Sequence, residues 1–394
     1  MRPVEIHEAG LLLRPWQPDD ADAVYRACQD PAIQRWTMVP VPYERHHAEQ
    51  FTGTALDRWA LGRDAPLGVF DAATGEVLGS CGLVALDEAA GWGEIGYWVA
   101  PWARGRGVGT HAARATARWA LNSLGLRRLV WQAEVGNHYS RLVATRIGVR
   151  VEGLLRRGLP GRDGWVDGWT GSLLPGELRE TDDWVPAFVA RRAAAFTGPQ
   201  PTLTTTTRAG VTISLRAPAG RDLDDIVAAC RDPESIRWTT VPRPYTRADG
   251  EFFVHGHAVA QWTAGTGMVC AVTDTTDRFA GSMELRIAPD RPELGDVGFL
   301  MAPWARGRGY GSAALRALTR WGIEECGLGR IEWRAYVGND DSRRLAEAAG
   351  FVVEGIGRDA CRARDGLVDA WQGALVPADV LAPGGARKGR RDAD

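Results

Sequence analysis

The chain has 394 residues, 45% hydrophobic and 24% charged, with a formal net charge of −2. That length fits two ordinary domains, and the balance is that of a soluble globular protein. A chain so close to neutral has no global field to hold nucleic acid or a membrane surface, and no apolar run approaches the roughly 20 residues of a membrane helix. The six cysteines form no CxxC pair and the seven histidines no ligand spacing, so no metal centre is predicted. The first residues lack a basic stretch leading into an apolar one, so the expected compartment is the cytoplasm.

In chain order, a strand is predicted at 11–14. A helix opens in PDDADAVYRAC, with Asp19 or Asp20 as N-cap. Residues 67–86 carry two strand-like runs around a TGE turn, as a hairpin would. EIGYWV is a further strand and runs straight into APWARGRGVG. Helical spacing then takes over, with Ala112, Ala115, Thr116, Trp119 and Ala120 on one face. LVWQAEV alternates, and a second helix is predicted over roughly 140–147.

The same words return 202 residues later without a gap. RWTMVPVPY from Arg35 meets RWTTVPRPY from Arg237; APWARGRGVG meets APWARGRGYG; Asn137 and Ser140 meet Asn339 and Ser342; VEG at Val151 meets VEG at Val353. A period this long is a duplicated domain, not a solenoid. The boundaries predicted are a domain over 1–177, a linker over 178–208 (a short helix, then an extended Thr/Pro stretch), a second domain over 209–380 and a disordered tail over 381–394.

Each Gly/Arg segment lies between a strand and a helix N-terminus, where backbone N–H groups are unpaired and the helix dipole favours anions. Gly105, Gly107 and Gly109, with Gly307, Gly309 and Gly311, let the backbone approach a phosphate. Arg104, Arg106, Arg306 and Arg308 add cationic donors. The spacing matches neither a P-loop nor a dinucleotide-binding fingerprint. Besides a phosphate cradle, a Gly/Arg-rich nucleic-acid contact is a possible use of such a segment, but it needs a basic stripe that the overall charge does not offer.

The ordered set of R-x-x-G-x-G, N-x-x-S and G-F-x-x-E-G resembles the GNAT superfamily of N-acetyltransferases. The surrounding words are similar to its RimJ/RimL-like branch, which acetylates N-terminal α-amines of ribosomal proteins. The resemblance covers nearly all of both copies. It implies α/β domains, each a mixed, mostly antiparallel sheet splayed after its fourth strand, with flanking helices and acetyl-CoA in the gap. It implies that Trp98, Val99 and Ala100, with Leu300, Met301 and Ala302, line the pantetheine arm. The N–H near Val99 or Met301 would then face the thioester oxygen. Residues Arg104 to Thr110 (with Val108) and Arg306 to Ser312 (with Tyr310) would hold the pyrophosphate, and Asn137 and Asn339 would touch the cofactor.

Amine acetylation needs a base, an oxyanion donor and a group near the leaving thiolate. Many family members place a tyrosine at the thiolate; here that position is Ala144 or Ala346. Ser140 and Ser342 are the alternative acids, or else N-caps of the following helix. Glu94 and Asp296 are candidate bases acting through water, or else solvated strand residues; Glu152 and Glu354 compete. Trp36, Tyr43, Trp238 and Tyr245 are candidates for the acceptor wall, and Asp167 and Asp369 for the acceptor side. An α-amine of pKa near 8 is about 10% neutral at pH 7, a lysine far less. A weak base therefore predicts an α-amine of a protein, peptide or peptide-like product, with a small-molecule amine as the alternative. Either both halves are enzymes, or one is a scaffold, or both only bind the cofactor. A monomer built as a pseudo-dimer, or a homodimer, is the expected assembly.

Overall fold

The structure, a computed structural model, describes residues 1–381; the tail expected over 381–394 lies, beyond its first residue, outside them. The chain divides into one unit over Met1–Pro186 and a second from Ala187 onward.

The first unit runs β1 (Ile6–Glu8), β2 (Leu11–Pro15), α1 (Ala21–Ala27), α2 (Pro31–Trp36), α3 (Arg45–Gly53), α4 (Ala55–Leu61), β3 (Leu67–Asp71), β4 (Val77–Asp87), β5 (Trp92–Val99), α5 (Val108–Asn122), β6 (Arg128–Glu134), α6 (His138–Ile147), β7 (Arg150–Gly161) and β8 (Gly164–Leu173). The second runs α7 (Ala187–Ala195), β9 (Leu203–Thr206), β10 (Thr212–Arg216), α8 (Leu223–Arg231), α9 (Pro233–Trp238), α10 (Arg247–Glu251), a π-helical segment (Phe252–His257), α11 (Ala258–Thr263), β11 (Gly267–Thr273), β12 (Phe279–Ile287), β13 (Leu294–Met301), α12 (Tyr310–Glu324), β14 (Arg330–Tyr336), α13 (Asp340–Ala349), β15 (Val352–Ala363), β16 (Gly366–Leu375) and α14 (Pro377–Leu381). No helix among the described residues is long and apolar enough to cross a membrane.

Each unit is an eight-stranded mixed sheet, ordered β1-β2-β3-β4-β5-β6-β8-β7 and β15-β16-β14-β13-β12-β11-β10-β9. All neighbours are antiparallel except β5–β6 and β13–β14. The apolar stripe read over α5 is buried: Ala112, Ala115, Thr116 and Ala120 are almost wholly enclosed, and Trp119 meets Trp59 at 5.6 Å. The expected splay is explicit in the register, after the fifth strand of each unit, because a short edge strand, β1 or β9, precedes the four. The parallel ladder has three pairs, Trp92↔Arg128, Gly93↔Leu129 and Glu94↔Val130, and then stops. From Ile95 to Val99 the strand keeps β4 on one side and, among the described residues, has no strand on the other. The second unit repeats this, ending at Asp296↔Glu332.

The proposed N-cap at Asp19 or Asp20 turns out differently. Asp20 makes no side-chain cap; its carboxylate takes both Arg14 guanidinium nitrogens at 2.8 and 2.9 Å and the Gln17 N–H. An arginine on the neighbouring strand outcompetes the helix end. Asp222 and Arg216 do the same in the second unit.

The stretch 178–208 is not a linker in the structure. Its first part straps onto the first unit, where Arg114 donates to Arg179 O at 2.7 Å and Arg118 to Glu180 at 2.7 Å. From Ala187 it belongs to the second unit. Arg192, only 2% exposed, donates to the carbonyls of Cys326 (2.8 Å) and Pro292 (2.7 Å). Phe196 packs on Trp262 and Trp321. The threonine run supplies edge strand β9, paired with β10 from Thr206↔Thr212 to Leu203↔Leu215. β-Branched threonines suit such a half-buried edge, so what reads as extended coil is sheet. A second-unit fragment starting at Ala187 should exceed one starting at Ala209 in stability by at least about 3 kcal/mol, from the Arg192 hydrogen bonds, the Phe196 burial and the β9 ladder. Denaturant titration of the two fragments measures this, and equal midpoints would return the segment to linker status.

Candidate active site

Where the parallel ladder ends, backbone groups face an opening. Ala100 N–H donates to Leu78 O at 2.9 Å, and Gly79 lies opposite Val99. Hydrogen-bonded and open pairs alternate along an antiparallel ladder. Val99 N–H therefore points away from β4, into the gap beside β6. In the second unit Ala302 N–H bonds Ala280 O at 2.9 Å, so Met301 N–H points into the corresponding gap.

The Gly/Arg loop closes one end of each gap. Gly105 and Gly107 have φ of 73° and 77°, and Gly307 and Gly309 have 72° and 76°. That left-handed geometry is what turns the chain into the helix. A Cβ on Gly109 would lie 3.2 Å from Val99 Cγ2, and one on Gly311 only 2.5 Å from Leu345 Cδ1. The helix thus begins pressed against the strand end and α6 or α13. Among the described residues the N–H groups of Gly105 through Thr110 meet no backbone acceptor, and the first helical bond from the loop is His111 N–H to Gly107 O at 3.0 Å. The side chains of Val108 and Tyr310 turn inward, both almost fully buried. This is an anion cradle made of backbone.

The description "Acetyltransferase (GNAT) domain" fits residues 10–150 and again 212–352, the same stretch of each unit and more than half of the chain. The chain belongs to the GNAT acetyltransferase family. Among relatives, "Putative ribosomal N-acetyltransferase YdaF" of Bacillus subtilis (strain 168) is 42% identical over 82 residues, 20% of this chain and 45% of its own length. The chain therefore spans less than half of that relative. "Uncharacterized N-acetyltransferase p20" of Bacillus licheniformis is 26% identical over 167 residues, 42% of this chain and 94% of its own. The solved ribosomal-protein-S5-alanine acetyltransferase of Vibrio fischeri is 18% identical and aligns over 46% of this chain and 100% of its own, with a TM-score of 0.40.

The two GNAT domains place their asparagines and serines alike. Asn137, not Ser140, is the N-cap of α6: its Oδ1 accepts Ser140 N–H at 3.1 Å. Asn339 caps α13 through Ser342 N–H at 3.2 Å. The serine hydroxyls are left for the gap, each accepting an indole N–H, from Trp131 at 3.0 Å and Trp333 at 3.1 Å. In the first domain a phenol joins them. Tyr97, on the open edge of β5, donates to Ser140 O at 2.9 Å, and its Oη lies 3.3 Å from Ser140 Oγ. Burial pushes the Tyr97 phenol well above its ordinary pKa, so it stays protonated. The second domain has Phe299 there. Sequence reading missed Tyr97, although the Tyr/Phe difference between the copies marks it.

The candidate bases differ more. The Glu94 carboxylate is half-buried with no hydrogen bond or ion pair among the described residues, and burial raises its pKa. Asp296 is clamped by Arg286, with Nε at 3.2 and 3.0 Å from its two oxygens and Nη2 in close contact. The first domain has Val84 at the matching place. Glu152 and Glu354 are held by Arg128 and Arg330 in bidentate pairs.

Several expected ligand contacts are engaged elsewhere. Arg104 pairs with Asp30, the N-cap of α2, at 2.6 and 3.2 Å. Arg306 pairs with Asp232 at 2.6 Å and Ser235 at 3.0 Å. Arg106 and Arg308 stay exposed. Asp167 accepts Arg157 N–H at 2.7 Å and Asp369 accepts Asp359 N–H at 3.0 Å, bracing irregular β-hairpins where Arg157 and Asp359 take positive φ. They brace the hairpin, and both stay exposed. Tyr43 lies in the core with its hydroxyl on Cys28, and Trp98 stacks on Trp16 at 6.2 Å. Trp36 is half-buried and lies under Arg35.

In the second domain Trp238, Tyr245, Leu300, Met301, Arg306, Gly307, Gly309, Gly311, Ser312, Asn339 and Ser342 come together around one cavity of 960 Å³. The wall is fixed by an arginine that sequence reading did not single out. Arg162 donates to Gln34 O at 2.6 Å and Val39 O at 3.1 Å, and Arg364 to Val241 O at 2.5 Å.

Between the ordinary glutamate pKa and its raised folded value, the native state keeps a proton on Glu94 that the unfolded chain has released. Stability therefore falls as pH rises through that window. Glu94→Gln is expected to remove that fall, making the first domain more stable than wild type at neutral pH and equal to it below about pH 4. Thermal unfolding across pH checks this; parallel curves would mean that Glu94 is not perturbed.

Proposed function

We propose that the chain is an acetyl-CoA-dependent N-acetyltransferase acting on α-amines of a protein, peptide or peptide-like product. The unpartnered Glu94 beside the unpaired edge of β5 is the observation that carries this. When bound, acetyl-CoA supplies an acetyl group activated as a thioester. The backbone cradles at Gly105–Thr110 and Gly307–Ser312 fit its pyrophosphate: they offer unpaired N–H groups at a helix N-terminus and no competing side-chain anion inside the loop. Val99 and Met301 present an N–H at the strand end, where negative charge on a carbonyl oxygen would be stabilised.

Glu94 takes the proton from the acceptor ammonium in the first domain. Its raised pKa brings it closer to the operating pH, where a base works best. It is still a weak base, which favours an α-amine over lysine. Tyr97 and Ser140 form a short donor chain, Trp131–Ser140–Tyr97, able to hold a proton near the leaving sulfur. The name of the Bacillus subtilis relative, "Putative ribosomal N-acetyltransferase YdaF", agrees with a protein N-terminus as acceptor.

Calorimetric titration of acetyl-CoA should give two sites per chain, with Gly107→Glu and Gly309→Glu each removing one; no heat from the wild type would sink the proposal. A panel of α-amino peptides, N-blocked lysine peptides and small amines should show the first group acetylated fastest. Tyr97→Phe gives the first domain the second domain's side chain. In a Gly309→Glu chain, where turnover comes from the first domain, it is expected to lower kcat about 10-fold or more with little change in KM, because a positioned proton donor contributes about 10²-fold or more. Steady-state kinetics decides it, and an unchanged kcat would remove Tyr97 from the mechanism.

A further inference from the structure

The second domain carries a chain of charged groups that the first lacks. The register Glu284↔Gly298 and Arg286↔Asp296 sets these side chains on the same sheet face as Leu300. Met283, Leu285 and Val297 go to the other face, into the core under α12. Gly298 leaves the middle of β13 bare, and Arg286 lies over it, Nη1 3.1 Å from where a Cβ would be. From there Arg286 reaches both ways, with Nη1 to Glu284 Oε2 at 3.0 Å and Nε to Asp296 at 3.0 Å. The other Glu284 oxygen, Oε1, lies 2.8 Å from His257 Nε2. His257, Glu284 and Arg286 all line the 960 Å³ cavity, and Asp296 does not. The matching residues of the first domain are Ala55, Gly82 and Val84.

His257 closes the π-helical segment Phe252–His257. π-Turns are rare and frequently occur at functional sites. The first domain breaks its helix at the same place, between the end of α3 at Gly53 and the start of α4 at Ala55. The wider turn sets the imidazole against Glu284 on β12. A carboxylate that also takes an arginine can only accept, so Nε2 carries the hydrogen and Nδ1 the lone pair. Other carboxylates on the cavity wall are engaged: Glu234 by Trp238 Nε1 at 3.0 Å, Asp249 by Thr246, and Asp341 by Arg344.

We propose that His257 is the general base of the second domain, oriented by Glu284, so that the two halves of the chain deprotonate their acceptors with different groups. This rests on the reading of each domain as an N-acetyltransferase. An N–H bond of the acceptor ammonium breaks and an Nδ1–H bond forms. The electron pair stays on the amine nitrogen, and the positive charge moves to an imidazolium whose Nε2–H faces the Glu284 carboxylate. Asp296 is bound up by Arg286 and takes no part. Glu284 is a positioning residue.

The test uses the full chain with Gly107→Glu, so that turnover comes from the second domain, with acetyl-CoA, a pool of peptides bearing free α-amines, and thiol release as readout. His257→Ala should lower kcat about 100-fold with the acetyl-CoA KM changed less than about twofold, and added imidazole should restore part of the rate. His257→Gln keeps a donor for Glu284 and should lose as much without rescue. Glu284→Asp should retain more kcat than Glu284→Ala, at equal KM. A His257→Gln enzyme with unchanged kcat, or a larger loss from Asp296→Asn than from His257→Ala, overturns the proposal while leaving acetyl transfer intact. A Gly107→Glu chain that still titrates one equivalent of acetyl-CoA yet releases no thiol with any peptide overturns the enzymatic reading of this domain, and the proposal with it.

Discussion

Three ladder pairs join β5 to β6, and the rest of each domain is arranged around the place where they end. Strand edges inside a protein are costly, because each unpaired N–H or C=O must find another partner. Here the edge from Ile95 to Val99 is kept open, and everything that borders it is fixed by other means. β4 holds the strand from the far side, the tight contact at Gly109 fixes the helix, and the asparagine cap fixes the start of α6. An open edge so surrounded is a template for a ligand that supplies the missing hydrogen bonds, as the pantetheine amides of the family's cofactor would.

The two domains keep this frame and differ in what they mount on it. The cradle, the cap, the indole–serine contact and the hairpin arginine are common to both. The opposite strand face is not. Exchanging Gly82 for Glu284 and Val84 for Arg286 turns an apolar strand face into an ion network, and that network takes hold of the carboxylate whose counterpart in the first domain is unpartnered. A duplication that keeps the cradle and changes the opposite strand face leaves two gaps alike at the Gly/Arg loop and different in charge along the wall.

The frame was legible in the sequence because its signals are local. Two of the three repeated glycines in each loop stand where φ is positive, the N-x-x-S spacing is a helix start, and the α5 stripe has helical period. What was illegible depends on residues far apart in the chain. Arg104 read as a phosphate donor, but a carboxylate 74 positions away takes its charge. Asp167 read as an acceptor contact, but the positive φ at Arg157 calls it to the hairpin. The threonine run before the second domain has strand composition, yet its Pro and Gly neighbours read as coil. Only the waiting edge of β10 decides between them. The contrast between Glu94 and Asp296 depended on Arg286, whose place opposite Asp296 is a matter of register.

The ion pair between Arg104 and Asp30 has a thermodynamic corollary. Asp30 starts α2 by capping Ile33 N–H at 2.9 Å, and α2 carries Arg35, which bridges to Glu134 on β6 at 2.6 and 2.7 Å. One carboxylate therefore joins the loop at one end of the gap to the helix at the other. A phosphate that draws Arg104 toward itself weakens one hold on Asp30 and leaves the helix cap to bear alone. By reciprocity, if an anion on the loop loosens α2 from β6, then whatever tightens α2 against β6 weakens the loop's hold on that anion by the same factor. The two ends of the first domain's gap are thus tied through a single side chain, Asp30.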